Sequence, residues 1–136
     1  MKIGFGCDHA AIDLKNELIE YMTEKGYECV DYGTGYDENG EIIKCDYPNK
    51  GREVGEAVVR KDVDYGVLMC GTGIGISIAA NKVKGIRAAL CTDCFCAEAT
   101  RLHNDANILA MGGRVVGPGL ALKIVDTFLD TPFSGD

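Results

Sequence analysis

The chain has 136 residues, a formal net charge of −7, 46% hydrophobic and 26% charged residues. That length supports a single domain, residues 1–136, with a proper core, and the composition is that of a soluble globular protein. The acidic balance argues against nucleic acid or an anionic membrane as partner, while leaving an anionic small molecule open, because a local site can be positive inside an acidic whole.

Residues 2–7 form a short apolar run that reads as a strand, and it opens the sequence with no signal-peptide pattern before it. Residues 10–25 follow as an amphipathic helix, with Leu14, Leu18 and Met22 on one side and Lys15, Glu17 and Glu24 among them. Gly26 is its expected stop. A second strand is predicted over 27–32, a polar, glycine-containing loop over 33–47, and a helix opened by Pro48 and running to about Lys61. Lys50, Arg52 and Lys61 read as its solvated face. The third strand spans 65–70 and leads through a glycine turn into a helix over 76–84. A fourth strand at 86–91, a helix at 93–102, a fifth strand at 107–111 and a closing helix at 118–129 complete the pattern.

Apolar strands without alternation, separated by helices, imply a parallel sheet covered on both faces. The expected fold is therefore α/β, a Rossmann-like three-layer sandwich with a five-stranded parallel sheet, and ligands bind such sheets beyond the carboxyl ends of the strands. No apolar run approaches the ~20 residues that span a bilayer. The seven cysteines are odd in number, and Cys7, Cys29, Cys70 and Cys91 lie within or at the ends of apolar runs. This predicts free thiols in a reducing cytoplasm rather than a disulfide framework.

The segment DYGVLMCGTGIGIS, 64–77, carries the strongest functional signal. A strand runs out through Met69 and Cys70 into a turn containing Gly71, Gly73 and Gly75, then opens a helix. Glycines let the backbone approach a ligand, helix N-termini attract anions, and that field favours a thiolate. Two other clusters flank predicted strand ends: Gly6-Cys7-Asp8-His9 after the first strand, and His103-Asn104-Asp105 before the fifth with Gly112-Gly113-Arg114 after it. All three clusters are expected at one edge of the sheet, and they include the only two histidines.

The segments GCDHAA, DYP at 46–48, CGTGIGISIAANKVKGIRAALC at 70–91 and HNDANILAMGGRVVG at 103–117 resemble ribose-5-phosphate isomerase type B, over nearly the whole chain. The same family contains galactose-6-phosphate and allose-6-phosphate isomerases. The resemblance implies an aldose–ketose isomerase that converts ribose 5-phosphate to ribulose 5-phosphate without metal or organic cofactor. By resemblance, His103 and Asp8 open the sugar ring. Cys70 then moves a proton between C2 and C1 through a cis-enediolate, with the Thr72 hydroxyl assisting. Amides around Gly71, Gly73 and Gly75, with Asn104, would form the oxyanion hole. His9 and Arg114 would hold phosphate, and Tyr47 and Ser77 would line the sugar pocket. Some members use a carboxylate in the following helix turn as base; Ile76 and Ser77 occupy that neighbourhood here, which places the chain in the cysteine branch.

The resemblance also implies a homodimer or homotetramer with the site at the subunit interface. Many members continue with an arginine-bearing C-terminal helix that reaches the phosphate, typically of a neighbouring subunit. The present sequence reads Phe133-Ser134-Gly135-Asp136 at its end, so the phosphate contacts expected within it are His9 and Arg114. Retention of both Cys70 and His103 favours a pentose phosphate over the galactose-6-phosphate branch.

Plainer explanations stand beside these roles. Cys70 is equally readable as a small buried hydrophobe, Asp8 as a helix N-cap, and His103 as a residue at a helix C-terminus interacting with its dipole. The GxGxG spacing after the third strand is a poor dinucleotide fingerprint. Cys91, Cys94 and Cys96 form a CxxCxC run that evokes zinc or redox chemistry, but no fourth ligand stands at a recognisable spacing. The rival functions are a hexose-phosphate isomerase of the same fold, a non-catalytic phosphosugar-binding module and, more distantly, a thiol redox protein.

Overall fold

A computed structural model describes residues 1–44 and 46–135. In chain order the elements are β1 (Lys2–Cys7), α1 (Ile12–Glu24), β2 (Glu28–Asp31), α2 (Tyr47–Val59), β3 (Tyr65–Cys70), α3 (Ile74–Asn81), β4 (Ala88–Leu90), α4 (Cys94–Asn104), β5 (Ile108–Gly112) and α5 (Pro118–Asp130). The five strands form one parallel sheet in the order β2-β1-β3-β5-β4. This is the expected three-layer α/β architecture.

The central strands are buried on both faces, which is why they read as continuous apolar runs. Ile3, Phe5, Val67, Met69, Leu109 and Met111 point to one face, where they meet Leu18 and Met22 of α1 and Ile124, Val125 and Phe128 of α5. Leu68, Cys70, Ile108 and Ala110 point to the other and meet Val54 and Val58 of α2 and Ile76 and Ala80 of α3. Glycine serves this second face directly, since a Cβ on Gly66 would stand 2.7 Å from a Val54 methyl.

Several expectations shift. Lys15, one of the polar residues of the α1 pattern, is 1% exposed, and its ammonium sits 2.8 Å from both carboxylate oxygens of Asp31. Lys50 is half-buried rather than solvated, because it donates to the Tyr32 carbonyl at 2.6 Å and to Glu53 at 3.2 Å. Helix α3 begins two residues earlier than the pattern suggests, since Gly73 takes φ 82° and turns the chain straight into the helix. Helix α4 runs two residues further and includes His103 and Asn104. Among the described residues no helix is long and apolar enough to cross a membrane. The six described cysteines are free thiols; Cys45 lies outside the described residues.

The chain passes from β1 outward to β2, then crosses back to β3 on the other side of β1. Such a reversal leaves a crevice at the carboxyl ends of the two strands. There the Asp8 amide donates to the Met69 carbonyl at 3.2 Å, joining the first and second clusters across the crevice.

Candidate active site

Cys70 is the last residue of β3, buried and paired in register with Gly112 of β5. Its sulfur accepts a hydrogen bond from the Gly73 amide at 3.1 Å. Only a residue without Cβ fits at Gly73. Its φ is 82°, and a Cβ would lie 2.7 Å from the Met111 carbonyl carbon and 2.6 Å from a Leu90 methyl. Thr72 accepts from the Ile74 amide at 3.2 Å through its hydroxyl oxygen. The amides of Gly71, Thr72 and Gly75 have no hydrogen-bond partner among the described residues. The turn thus directs one N–H at the thiol and leaves others open at a helix N-terminus. Along the stretch from Gly71 to Gly75, where the oxyanion hole is expected, the amides of Gly73 and Ile74 are already engaged within the turn.

The turn after β5 holds this geometry from the side. The Gly113 amide donates to the Cys70 carbonyl at 2.8 Å and the Arg114 amide to the Gly71 carbonyl at 3.0 Å. A Cβ on Gly112 would stand 2.6 Å from the Thr72 carbonyl group, so this glycine permits the two turns to touch. Gly112 and Gly113 bring the two turns together, and the sequence pattern marks them only as neighbours of Arg114. Paired glycines directly after a strand were the available signal.

Asp8 is buried, and its Oδ1 accepts from the Ala10 amide at 2.9 Å. It closes the turn before α1 rather than capping the helix, whose N-cap is Ala11. The side chain of Arg114 lies beside Gly71 and makes no ion pair among the described residues. His9 is exposed and lines a cleft of about 400 Å³ together with Lys44, Asp46 and Asn49. Tyr47 lies against the first turn of α3, where a Cβ on Gly75 would meet its ring at 2.6 Å. Asp8, His9, Tyr47, Cys70, Thr72, the three turn glycines and Arg114 therefore gather at the carboxyl edge.

Three expected site residues do not join them as foreseen. The hydroxyl of Ser77 is turned back along α3 and donates to the Ile74 carbonyl at 2.8 Å, and the residue is buried. His103 and Asn104 close α4 immediately before β5, at the amino edge of the sheet. They line a cleft there with Asn81, Arg87 and Ala88. Since Gly66 pairs with Ile108 and Cys70 with Gly112, four strand steps separate the two edges, about 13 Å. A helix between parallel strands must return the chain to the starting edge, so a residue just before a strand lies opposite one just after it. Within one chain the ring-opening pair of Asp8 and His103 is not assembled.

The other cysteines are different in kind. Burial pushes the thiols of Cys7 and Cys91 up to about 12, which keeps both protonated at neutral pH. Cys96 is exposed, and its thiol is raised by its contact with the Asp93 carboxylate. Among the described residues no group of three or more His, Cys, Asp or Glu side chains is placed to hold a metal ion.

The family model described as Ribose/Galactose Isomerase matches residues 3–136. The chain belongs to the ribose/galactose isomerase family. It is 48% identical over 134 residues to ribose-5-phosphate isomerase B of Escherichia coli (strain K12), covering 98% of this chain and 87% of that protein. It is 44% identical over 133 residues to a galactose-6-phosphate isomerase subunit of Clostridium acetobutylicum, covering 98% of this chain and 74% of that one. Among solved structures, ribose-5-phosphate isomerase B of Clostridium thermocellum superposes with a TM-score of 0.94 at 52% identity, covering 100% of this chain and 88% of that one. As a ribose/galactose isomerase, the protein has the activity of an aldose–ketose isomerase.

Proposed function

We propose that the protein interconverts ribose 5-phosphate and ribulose 5-phosphate, with Cys70 as the base and a second copy of the chain completing the site. The observation that carries this reading is the Gly73 amide donating to Cys70 Sγ at 3.1 Å in a turn flanked by Asp8 and Arg114. Similarity to ribose-5-phosphate isomerases B at 48% and 52% identity supports the pentose substrate. In this reading the protein works in the cytoplasm.

The chemistry divides into two stages. Ring opening needs a base at the anomeric hydroxyl and an acid at the ring oxygen. Asp8 keeps one carboxylate oxygen without a partner among the described residues and faces the crevice from one side. His103 of a partner subunit supplies the other group. Cys70 then takes the C2 proton and returns it to C1, while the free amides of Gly71, Thr72 and Gly75 hold the enediolate oxygens. Asn104 enters beside His103. The hydroxyl of Thr72 relays protons between O1 and O2, Arg114 and His9 hold the phosphate, and Tyr47 forms a wall of the sugar pocket.

Association into a dimer is supported by the surface around α3 and the start of α4. Ile74, Ile78, Leu90 and Phe95 all expose apolar side chains there, Phe95 at 79% and Ile78 at 54%. Exposed apolar surface next to an incomplete site is the form an interface takes.

The first test follows ribulose 5-phosphate formation from ribose 5-phosphate under reducing conditions, beside galactose 6-phosphate and allose 6-phosphate. Preference for a hexose phosphate would move the protein to that branch. The second mixes Cys70→Ala and His103→Ala subunits, each inactive alone, after dissociation and reassembly. If sites are shared across a two-fold interface, random pairing restores roughly a quarter of wild-type activity, because half the dimers regain one intact site. No recovery would remove the shared-site reading.

A further inference from the structure

The last turn of α4 is built around a side chain with no part in the chemistry above. Arg101 is 4% exposed. Its Nε donates to the Thr131 carbonyl at 3.1 Å and its Nη2 to the Tyr65 hydroxyl at 3.2 Å. Nη1 donates to the Asp105 carboxylate at 2.9 Å and to the Ala106 carbonyl at 2.7 Å. The guanidinium also stacks over the rings of Tyr65 and Phe128, 5.0 and 5.8 Å from their centroids.

These partners come from separate parts of the fold. Asp105 is the left-handed cap of α4, at φ 51°, and Ala106 leads into β5. Tyr65 begins β3, and Thr131 follows α5. A planar fork with five N–H donors can serve all four at once, whereas an ammonium cannot. A second brace lies closer to His103: Ser134 donates to the Leu102 carbonyl from both its amide, at 3.2 Å, and its hydroxyl, at 2.7 Å. Exposed helix ends fray, and their last carbonyls need outside donors. Here the residues on both sides of the His103–Asn104 pair are tied into the body of the domain, while both side chains stand exposed.

We infer that Arg101 is a positioning residue for ring opening: it fixes the closing turn of α4 so that His103 enters the partner subunit's crevice at a set place and angle. The inference rests on the assignment of ring opening to His103. Catalytic groups must be held to a fraction of an ångström, and a misplacement near 1 Å can cost about a hundredfold. The alternative role for Arg101 is stability alone. The two differ in one respect: a stabilising residue changes how much enzyme is folded, whereas a positioning residue changes how the reaction divides between its stages.

That division can be read from ribulose 5-phosphate in deuterated water. Its 5-oxygen carries the phosphate, so the ketose stays open-chain. Cys70 takes a C1 hydrogen, the thiol exchanges with solvent, and a deuteron returns either to C1, regenerating labelled ketose, or to C2, giving aldehyde that must then close to ribose 5-phosphate. Deuterium wash-in at C1 thus needs proton transfer only, and product formation needs the ring step too. The ratio of the two is independent of the amount of folded enzyme.

His103→Ala is expected to raise this ratio about tenfold or more, and Arg101→Met and Arg101→Lys to raise it about threefold or more. Ser134→Ala is expected to give a smaller rise, and it keeps the test open if the Arg101 variants fail to fold. A wild-type ratio in the folded Arg101 variants, or in Ser134→Ala if they do not fold, overturns the positioning role whatever the loss of turnover. An unchanged ratio in His103→Ala would instead overturn the assignment of ring opening to His103, a result distinguishable from the first.

Discussion

The two edges of the sheet treat their polar groups in opposite ways. At the carboxyl edge groups are left open: among the described residues the amides of Gly71, Thr72 and Gly75 lack partners and Arg114 makes no ion pair. At the amino edge side chains satisfy the backbone. Asn107 accepts from the Arg87 amide and donates to the Gly85 carbonyl, Asn81 makes a reciprocal pair with Ala88, and Arg101 gathers two chain segments, at Thr131 and at Asp105–Ala106, besides the Tyr65 hydroxyl. The cause lies in chain direction. In a parallel sheet every helix starts at the carboxyl edge with free N–H groups and ends at the amino edge with free carbonyls. Free N–H groups can serve an anionic substrate, while free carbonyls call for protein donors. His103 stands at the closed edge, and in the reading proposed above a second subunit brings it to an open one.

The sharpest way to break the comparison is at the thiol. Cys70→Ala is expected to lower kcat by about 10²- to 10⁴-fold, the range for a lost general base, with the unfolding midpoint in urea nearly unchanged. Full turnover would remove Cys70 from the mechanism. Gly73→Ala attacks the same edge through the backbone. A Cβ at φ 82° and 2.7 Å from the Met111 carbonyl carbon adds left-handed strain to overpacking. The expected cost is about 2–4 kcal/mol by urea unfolding, with a fall in kcat as the Gly73 amide leaves Cys70.

Smaller effects sharpen the contrast between open and sealed groups. Lys15→Met removes the buried partner of Asp31. The Asp31 side chain is 46% exposed and can rehydrate, so the expected loss is about 1–2 kcal/mol, below the figure for a fully buried pair. The smallest effect is with pH. Cys7 and Cys91 are held protonated up to about 12 against an ordinary value of 9.0. Their folded values are raised, so the stability they contribute is fully present below about pH 9 and is lost as pH rises toward about 12. Unfolding curves at pH 8 and pH 10.5 are expected to show wild type losing more stability than Cys7→Ala over the same interval. Equal losses would show that Cys7 ionises freely in the folded chain.

Much of this was legible in the residues. The strands β1, β3 and β5 announce themselves as unbroken apolar runs, because a parallel sheet buries both faces of its inner strands. The glycine turn was legible for a similarly local reason: three glycines between a strand and a helix with a cysteine at the entrance leave few other uses. The edge strands β2 and β4 are shorter than the apolar pattern predicts: Ile86 packs in the core without pairing in the ladder, and Tyr32 stands just past the end of β2, its amide still donating to the Phe5 carbonyl at 2.8 Å. Helical periodicity shows Lys15 only as a polar residue of α1 and does not register its partner Asp31, sixteen residues away.

The sequence by itself determined the class of fold, the order of its elements, the position of the glycine turn after β3 and the family to which the chain belongs. Each depends on neighbours in the chain: hydrophobic period, glycine placement, a motif in register. Which groups meet was decided only by the tertiary structure. It set Asp8 across the crevice from Met69, locked Cys70 against the paired glycines after β5, turned Ser77 away, and sent His103 to the far edge. Those outcomes follow from strand order and direction, which bring together residues up to a hundred positions apart and part others that the linear motifs had grouped.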